Sequence, residues 1–168
     1  NSSKAQMQLY NLYCNAMLQI AFRYVKDRFL AEDVMYDSVI NAFRSSQSYK
    51  NEVAFGAWLK RIVINHSIDQ LKKNKLELVS INEEVYALGN DEDWNIENEI
   101  SIAGIVEEIN NLKEKYRLVL TLYLLEGYDH NEISEILKIT ATTSRTHLLR
   151  GKKLLKEQLK NTSYAEGY

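Results

Sequence analysis

Proline is absent from the 168 residues of the chain, and glycine occurs only six times. So few helix breakers favour long uninterrupted helices and argue against a turn-rich β architecture. The single cysteine, Cys14, cannot form an internal disulfide, so a reducing cytoplasm is the expected compartment. No run approaches the roughly 18 apolar residues of a membrane span, and the first residues lack a cleavable signal pattern.

Charge is distributed unevenly, although the formal net charge is only −2. Residues 1–74 carry ten basic side chains against six acidic ones, whereas residues 75–101 carry one against eight. Residues 138–160 are basic again, with seven cations and a single acid. Positive segments separated by a negative one suggest two DNA-facing surfaces and an acidic connector.

Apolar periodicity predicts three helices in residues 1–74. One apolar face runs from Leu9 to Tyr24, and a third helix is expected from Phe55 to about Lys73. Between them, a helix is predicted from about Ala31 to Phe43, with Glu32 and Asp33 in its first turn, where the helix dipole favours acids. Residues 1–74 are therefore expected to form an all-α domain.

The second half of the chain shows a break in this pattern. Residues 75–101 lose the periodicity and are predicted to be a flexible acidic linker. Helical spacing returns from Ile105 to Leu125 and stops at Gly127. A second all-α domain is expected over residues 102–161, followed by a C-terminal tail, 162–168.

The end of this second domain has the pattern of a helix-turn-helix. Asp129, with Glu132 three residues later, predicts a capping box at the start of a short helix. A turn is predicted at 139–141, and a longer basic helix from about Thr142 to Leu159. In a helix-turn-helix the second helix enters the major groove of DNA. The alternative is a solvated basic helix in an ordinary helical bundle.

The basic helix carries side chains that suit duplex DNA. Arg145, near its start, could address guanine, and the neighbouring threonines could address thymine methyl groups or phosphates. Cations farther along the helix could neutralise phosphates. The threonines are Thr142, Thr143 and Thr146, and the cations are Arg150, Lys152, Lys153 and Lys156.

The third predicted helix and the loop before it combine aromatic and basic residues. Aromatic rings stack on unpaired bases while cations follow the backbone of single-stranded DNA. Tyr49 and Asn65 are predicted to line a pocket for an unstacked base, with Asn65 supplying an amide donor and acceptor. Trp58 is better explained as a core residue, with a DNA contact as the alternative. The accompanying cations are Lys60, Arg61, Lys72 and Lys73.

The sequence offers no credible catalytic or metal cluster. His66, Ser67 and Asp69 are the residue types of a hydrolase triad, but neighbours on a helix point in different directions. His130 and Glu132 lack convergent partners for a metal. We therefore predict a protein that is not an enzyme and has no catalytic residues, metal site, cofactor or small-molecule substrate.

Taken together, three segments resemble one known family. Ala31–Phe43 resembles the helix whose surface binds the clamp helices of the RNA polymerase β′ subunit. Phe55–Lys73 resembles the promoter-melting and −10 recognition segment, and Gly127–Arg150 resembles the −35-reading helix-turn-helix that also meets the β flap. Over nearly all its length the chain is similar to the extracytoplasmic-function (ECF, group 4) sigma factors of the sigma-70 family.

The resemblance implies an all-α fold with sigma region 2 over residues 1–74 and sigma region 4 over residues 102–161. It implies a factor that binds core RNA polymerase, recognises −35 and −10 elements and aids the melting of promoter DNA. An anti-sigma factor is a further implied partner, which could hold the otherwise cytoplasmic protein at the inner membrane.

The resemblance also assigns roles to residues. Tyr49 and Asn65 match positions that capture a flipped non-template base. The implied polymerase contacts are Glu32, Asp33, Tyr36 and Asp37. By the resemblance, the implied −35 contacts are Arg145, Thr146, Leu149 and Arg150. The pattern of the basic helix adds Thr142, Thr143 and Lys153 to the expected −35 contacts.

Two other functions remain open on the sequence. A self-sufficient helix-turn-helix repressor or activator would need a dimer interface or an effector pocket, and it would bind its operator without polymerase. A helical adaptor that binds only proteins is disfavoured by the basic residues of 138–160.

Overall fold

The structure is a computed structural model. In the residues that it describes, the regular secondary structure is helical. These are residues 3–46, 49–50, 52–76 and 101–165, with the backbone alone described for 74–76 and 161–165. The chain divides into two units between residues 81 and 82. The predicted acidic linker, 75–101, lies almost wholly outside the described residues.

The described residues of the first unit form a bundle of three helices that all contact one another. They are α1 (Ser3–Val25), α2 (Arg28–Arg44) and α3 (Phe55–Leu76). Each helix contributes one apolar face to a common core, as the periodicity predicted. The buried core residues are Met17, Ala21, Val25, Ala31, Val34, Met35, Val39, Ala42, Leu59 and Val63. Cys14 lies half-buried at the edge of this core.

The predicted start of α2 was wrong by three residues. The helix begins at Arg28 because Asp27 caps it, its carboxylate accepting a hydrogen bond from the Leu30 N–H at 2.8 Å. Glu32 and Asp33 therefore lie in the second turn, beyond the unpaired N–H groups where an acid is most favourable. Ser45 ends the helix, as expected.

Within its described residues, 101–165, the second unit contains four helices and one wider turn. They are α4 (Ile102–Asn111), α5 (Glu114–Leu120), a π-helical turn (Thr121–Leu125), α6 (His130–Leu137) and α7 (Ala141–Ala165). Gly127 follows at φ +77°, a conformation that L side chains rarely adopt, and stops the helix where the sequence predicted. Buried side chains from the helices share one core, which includes Ile109, Val119, Leu122, Ile133, Leu148 and Leu155.

The longest helix, α7, continues beyond its predicted end at Leu159. It extends to Ala165, so the first four residues of the predicted tail, 162–165, are helical. No proline or glycine lies between Gly151 and Gly167, and nothing in that segment forces a helix to end. Gly151 allows α7 to approach α5 closely, because a Cβ atom there would overlap the Cδ1 atom of Leu120.

Candidate nucleic-acid interface

The short helix α6 starts at the capping box that the sequence predicted. The Asp129 carboxylate accepts hydrogen bonds from the backbone N–H groups of Asn131 at 2.7 Å and Glu132 at 2.9 Å. The Glu132 carboxylate in turn accepts one from the Asp129 N–H at 3.0 Å. These bonds satisfy N–H groups that have no partner within the helix, so an eight-residue helix gains a defined start.

The turn between α6 and α7 is set by Lys138 and Thr140. Lys138 has a left-handed backbone with φ 56°, and the following Ile139 N–H bonds back to the Ser134 carbonyl at 3.2 Å. The Thr140 hydroxyl accepts a hydrogen bond from the Thr143 N–H at 3.0 Å and so caps α7. As a result α7 begins at Ala141, one residue before its predicted start.

One face of α7 is buried and the opposite face is exposed. The buried residues are Ser144, His147, Leu148, Gly151, Leu155 and Leu159. On the other side Thr142, Arg145 and Lys153 are exposed, and Thr146 and Leu149 are half-buried. At 100° per residue these five positions lie within about 100° of one another around the helix axis. The structure thus brings five of the seven predicted −35 contacts onto one face, which we call the recognition face.

The remaining two predicted contacts, Thr143 and Arg150, lie at the edge of the recognition face and are half-buried. The hydroxyl groups of Thr143 and Thr140 are 2.9 Å apart and hydrogen-bonded. The Thr146 hydroxyl donates to the Thr142 carbonyl at 3.0 Å. Among the predicted threonines, Thr142 is therefore the exposed side chain whose hydroxyl has no internal hydrogen bond described.

The exposed face of α3 carries most of the predicted −10 contacts. Asn65, Arg61 and Lys73 are exposed there, and Lys72 is half-buried. The three cations lie within about 80° of Asn65 around the axis, whereas Lys60 lies about 140° away from it. The structure therefore groups Arg61, Lys72 and Lys73 with Asn65 but places Lys60 on another side of the helix.

Tyr49 is held against the start of α3. Its ring centroid lies 5.1 Å from that of Trp58 and 5.6 Å from that of Phe55, and its hydroxyl donates to the Val53 carbonyl at 2.6 Å. Trp58 is half-buried against the core of the first unit, as the core interpretation expected. Trp58 and Asn65 are seven residues apart and therefore lie on the same side of α3, separated by about two turns. Because the Tyr49 ring packs on Trp58, Tyr49 and Asn65 lie on that same side of the helix.

The outer face of α2 combines acids with exposed apolar residues. Asp33, Tyr36 and Asp37 are exposed as a polymerase-binding surface requires, while Glu32 is half-buried and paired with Arg28 at 3.2 Å. Phe29 is 80% exposed and Ile40 is 45% exposed on the same face. The sequence reasoning missed these two residues, although their spacing of seven and four residues from Tyr36 puts all three on one helix side.

A groove of about 350 Å³ lies beside Tyr36, between α1 and α2. Its walls are largely apolar and include Met7, Tyr10, Ile40 and Phe43. The rings of Tyr10 and Tyr36 stack with centroids 6.2 Å apart and planes inclined by 12°. Hydrogen bonding to Tyr36, together with burial, raises the pKa of Tyr10 to about 12, so the phenol stays protonated.

Two residues of the hydrolase-type set, Ser67 and His66, have structural hydrogen-bond partners. The Ser67 hydroxyl donates to the Val63 carbonyl at 2.8 Å, and the His66 Nδ1 atom lies 3.1 Å from the Ser38 hydroxyl, on another helix. Within the described ranges there is no group of three His, Cys, Asp or Glu side chains that could hold a metal ion. None of the described helices is long and apolar enough to span a bilayer.

Comparison with protein families finds two matches, one in each unit of the fold. Residues 9–77, which cover most of α1 to α3, match sigma-70 region 2. Residues 103–155, from α4 into α7, match sigma-70 region 4. The chain is also 28% identical to the ECF RNA polymerase sigma factor SigW of Bacillus subtilis, over 91% of this chain and 88% of SigW. The chain belongs to the extracytoplasmic-function sigma factors of the sigma-70 family.

Other relatives agree with this assignment. The sigma factor is 29% identical to the ECF RNA polymerase sigma-E factor of Haemophilus influenzae, over 93% of this chain and 88% of that protein. In fold it resembles the sigma factor RpoE of Bartonella quintana, which was solved with the anti-sigma factor NepR. The TM-score is 0.57 at 20% identity, and the match covers 94% of this chain and 98% of the RpoE chain. CnrH, solved with the cytosolic domain of CnrY, gives a TM-score of 0.53, 20% identity and coverage of 96% and 91%.

Proposed function

We propose that this sigma factor binds core RNA polymerase through α2, reads a duplex −35 element with α7 and helps to melt a −10 element held by α3. The observation that carries the proposal is the recognition face of α7, which presents Thr142, Arg145 and Lys153 on the second helix of a capped helix-turn-helix. The N-terminal part of such a helix meets base edges in the major groove. Proteins of this family are regulatory factors for promoter-specific initiation and are not catalysts.

The −35 contact is assigned to the second unit, residues 102–161. Arg145 is exposed in the second turn of α7, where a guanidinium can bond guanine O6 and N7. Lys153 lies on the same face two turns farther on, where it can neutralise a phosphate. Leu149, between them, supplies apolar contact to a thymine methyl group or a sugar.

The −10 contact is assigned to the first unit, residues 1–74. Single-stranded DNA is bound by cations that follow its backbone and by rings and amides that hold its bases. Arg61 and Lys72 lie on the same side of α3 as Asn65, which supports a strand running along that side. Tyr49, whose ring lies against the start of the helix, is the proposed stacking partner of a base that has left the duplex. Capture of such bases offsets part of the unstacking cost of a few kcal/mol per base.

Polymerase binding is assigned to the outer face of α2. Exposed apolar residues bordered by acids are suited to a partner helix that carries apolar and basic side chains, and the β′ clamp helices are the proposed partner. The β flap is the proposed partner of the second unit, where Tyr123 and Leu124 are exposed beside α6. Because the structurally similar RpoE was solved with the anti-sigma factor NepR, an anti-sigma factor is proposed here too, acting on a protein that works in the cytoplasm.

In vitro transcription tests this function. Core polymerase with the sigma factor is expected to start RNA chains from a fragmented genomic library at sites that share two sequence elements at a constant spacing. A double variant, Tyr36→Ala with Asp37→Asn, is expected to lower the affinity for core enzyme, and Glu135→Gln on the exposed side of α6 serves as a charge-matched control. Promoter-independent starts, or tight specific DNA binding without polymerase, would instead indicate a stand-alone regulator.

A further inference from the structure

His130, the first residue of α6, connects three elements of the second unit. Its Nδ1 atom lies 2.9 Å from the hydroxyl oxygen of Ser144 on α7. Its ring stacks on Tyr123 of the π-helical turn, with centroids 4.9 Å apart and planes inclined by 25°. Ser144 is completely buried, and the next residue of α7 is the exposed Arg145. A contact at Ser144 therefore bears directly on how α7 presents its recognition face.

Charged groups on α7 and at the start of α6 surround His130. Burial is the main reason that the pKa of His130 is lowered from its ordinary value of 6.5, and Arg145 and Lys152 on α7 lower it further. Asp129 acts in the opposite direction. Tyr123, from the π-helical turn, contributes its aromatic ring, which stacks on the imidazole. The imidazole is thus kept largely uncharged beside two cations of the helix that is proposed to bind DNA.

We propose that His130 is a positioning residue for α7 and that the binding of duplex DNA by α7 is coupled to the uptake of a proton by its imidazole. This inference rests on the proposed function, because it requires α7 to meet duplex DNA. The His130 ring joins the two helices of the helix-turn-helix and lies near the cations Arg145 and Lys152 of the second helix.

The positioning contact survives a change of protonation. A neutral Nδ1 accepts a hydrogen bond from the Ser144 hydroxyl, and a protonated Nδ1 donates one to the same oxygen. The distance between α6 and α7 can therefore stay constant while the charge on the ring changes. What changes is the number of positive charges beside Arg145.

DNA supplies the reason for proton uptake. The first helix of a helix-turn-helix crosses the DNA backbone, so phosphates are expected near the start of α6 as well as near Arg145. Their negative charge compensates the two cations and favours the charged imidazole, which raises the pKa of His130 in the complex. By linkage, a proton that binds more tightly to the complex must in turn tighten DNA binding by the same factor. The affinity for duplex DNA should therefore rise as the pH falls through the range in which His130 titrates.

The first experiment uses the whole unaltered chain. Histidine ring signals are followed by NMR against pH, alone and with a duplex of about 20 base pairs of mixed sequence at low salt, where phosphate contacts suffice for binding. The pKa of His130 is expected to lie below 6.5 in the free protein and to rise when the duplex is bound. A pKa that stays the same or falls on binding overturns the proposal.

The second experiment measures duplex affinity by fluorescence anisotropy at about pH 8 and about pH 5.5. Binding by the unaltered chain is expected to be about two- to fivefold tighter at the lower pH, the modest effect of one partly exposed charge. His130→Asn, which cannot be protonated, should lose this difference. The matched control His66→Asn, in the other unit, should retain it. If His130→Asn keeps the full difference, the proton is taken up elsewhere and the proposal is wrong.

A third comparison separates positioning from charge. An Asn side chain can place a hydrogen-bonding atom close to the position of Nδ1, whereas Ala cannot. At about pH 8, His130→Asn should therefore bind the duplex more tightly than His130→Ala, and equal affinities would refute the positioning role. Absence of duplex binding by the unaltered chain at either pH would overturn both this inference and DNA binding by α7. Binding that does not change with pH would overturn the proton coupling alone.

Discussion

Arg145 and Arg150 lie on the same helix, but the structure predicts that they do different work. Arg145 is exposed on the recognition face in the second turn of α7, and Arg150 is half-buried at the edge of that face. They are separated by about 140° around the axis and about 7.5 Å along it. The N-terminal end of a recognition helix reaches base edges, and positions farther along meet the backbone. We therefore expect Arg145 to read a base and Arg150 to bind a phosphate.

The two substitutions are expected to weaken DNA binding in different ways. Loss of a base contact in Arg145→Ala should cost about 1–3 kcal/mol, or about five- to 150-fold in affinity, and should relax the preference at one base pair. Loss of a phosphate contact in Arg150→Ala should weaken binding to every sequence alike. It should also make the slope of log affinity against log salt concentration less negative by about 0.9.

Holoenzymes carrying each variant can be compared by selecting active promoters from a library randomised in the −35 element and by titrating salt on one duplex. Lys113→Ala, which removes an exposed cation just before α5, is the matched control and should change neither result. A change of sequence preference in Arg150→Ala, with uniform weakening in Arg145→Ala, would show that the roles are reversed. If neither variant alters transcription, α7 does not read DNA.

Substitutions at three further positions test the rest of the interface and the cap of α6. Asn65→Ala should impair formation of the open complex more than closed-complex binding, as measured by permanganate footprinting, and normal opening would contradict its role with an unpaired base. Tyr49→Ala should impair opening in the same assay, whereas Tyr49→Phe keeps the ring, loses only the bond to the Val53 carbonyl and should retain most of the activity; equal losses would rule out base stacking. Asp129→Ala should lower the free energy of unfolding by about 1–2 kcal/mol in urea denaturation, because two backbone donors lose their acceptor. Asp129→Asn retains an acceptor and should cost less, so an equal cost would contradict the capping explanation.

The parts of this fold that were predictable depend on local rules. The capping box at Asp129 and the stop at Gly127 follow from the chemistry of a few neighbouring residues, and the structure confirms both. The helices followed from apolar spacing, which needs only the geometry of one helix. Their ends were less certain. The start of α2 was misplaced because the more favourable cap, Asp27, lies outside the apolar pattern.

The parts that were missed depend on contacts between segments far apart in the sequence. Phe29 and Ile40 are apolar residues of the kind usually found in a core. Their exposure on α2 becomes visible only when the three helices are packed together. The contact between His130 and Ser144 spans fourteen residues and two helices, and no local spacing rule predicts it.

The sequence by itself determined the family, the helical class and which residues are candidates for binding nucleic acid, because helix periodicity, caps and motif order depend on neighbouring residues. Only the tertiary structure decided which of those residues share a face. Burial of Ser144, Leu148 and Leu155 turns α7 so that Arg145 points outward, and burial of the opposite side of α3 separates Lys60 from Asn65. A helix takes such an orientation because it buries apolar surface against other helices. The free energy gained in this way depends on the whole unit and on no single segment.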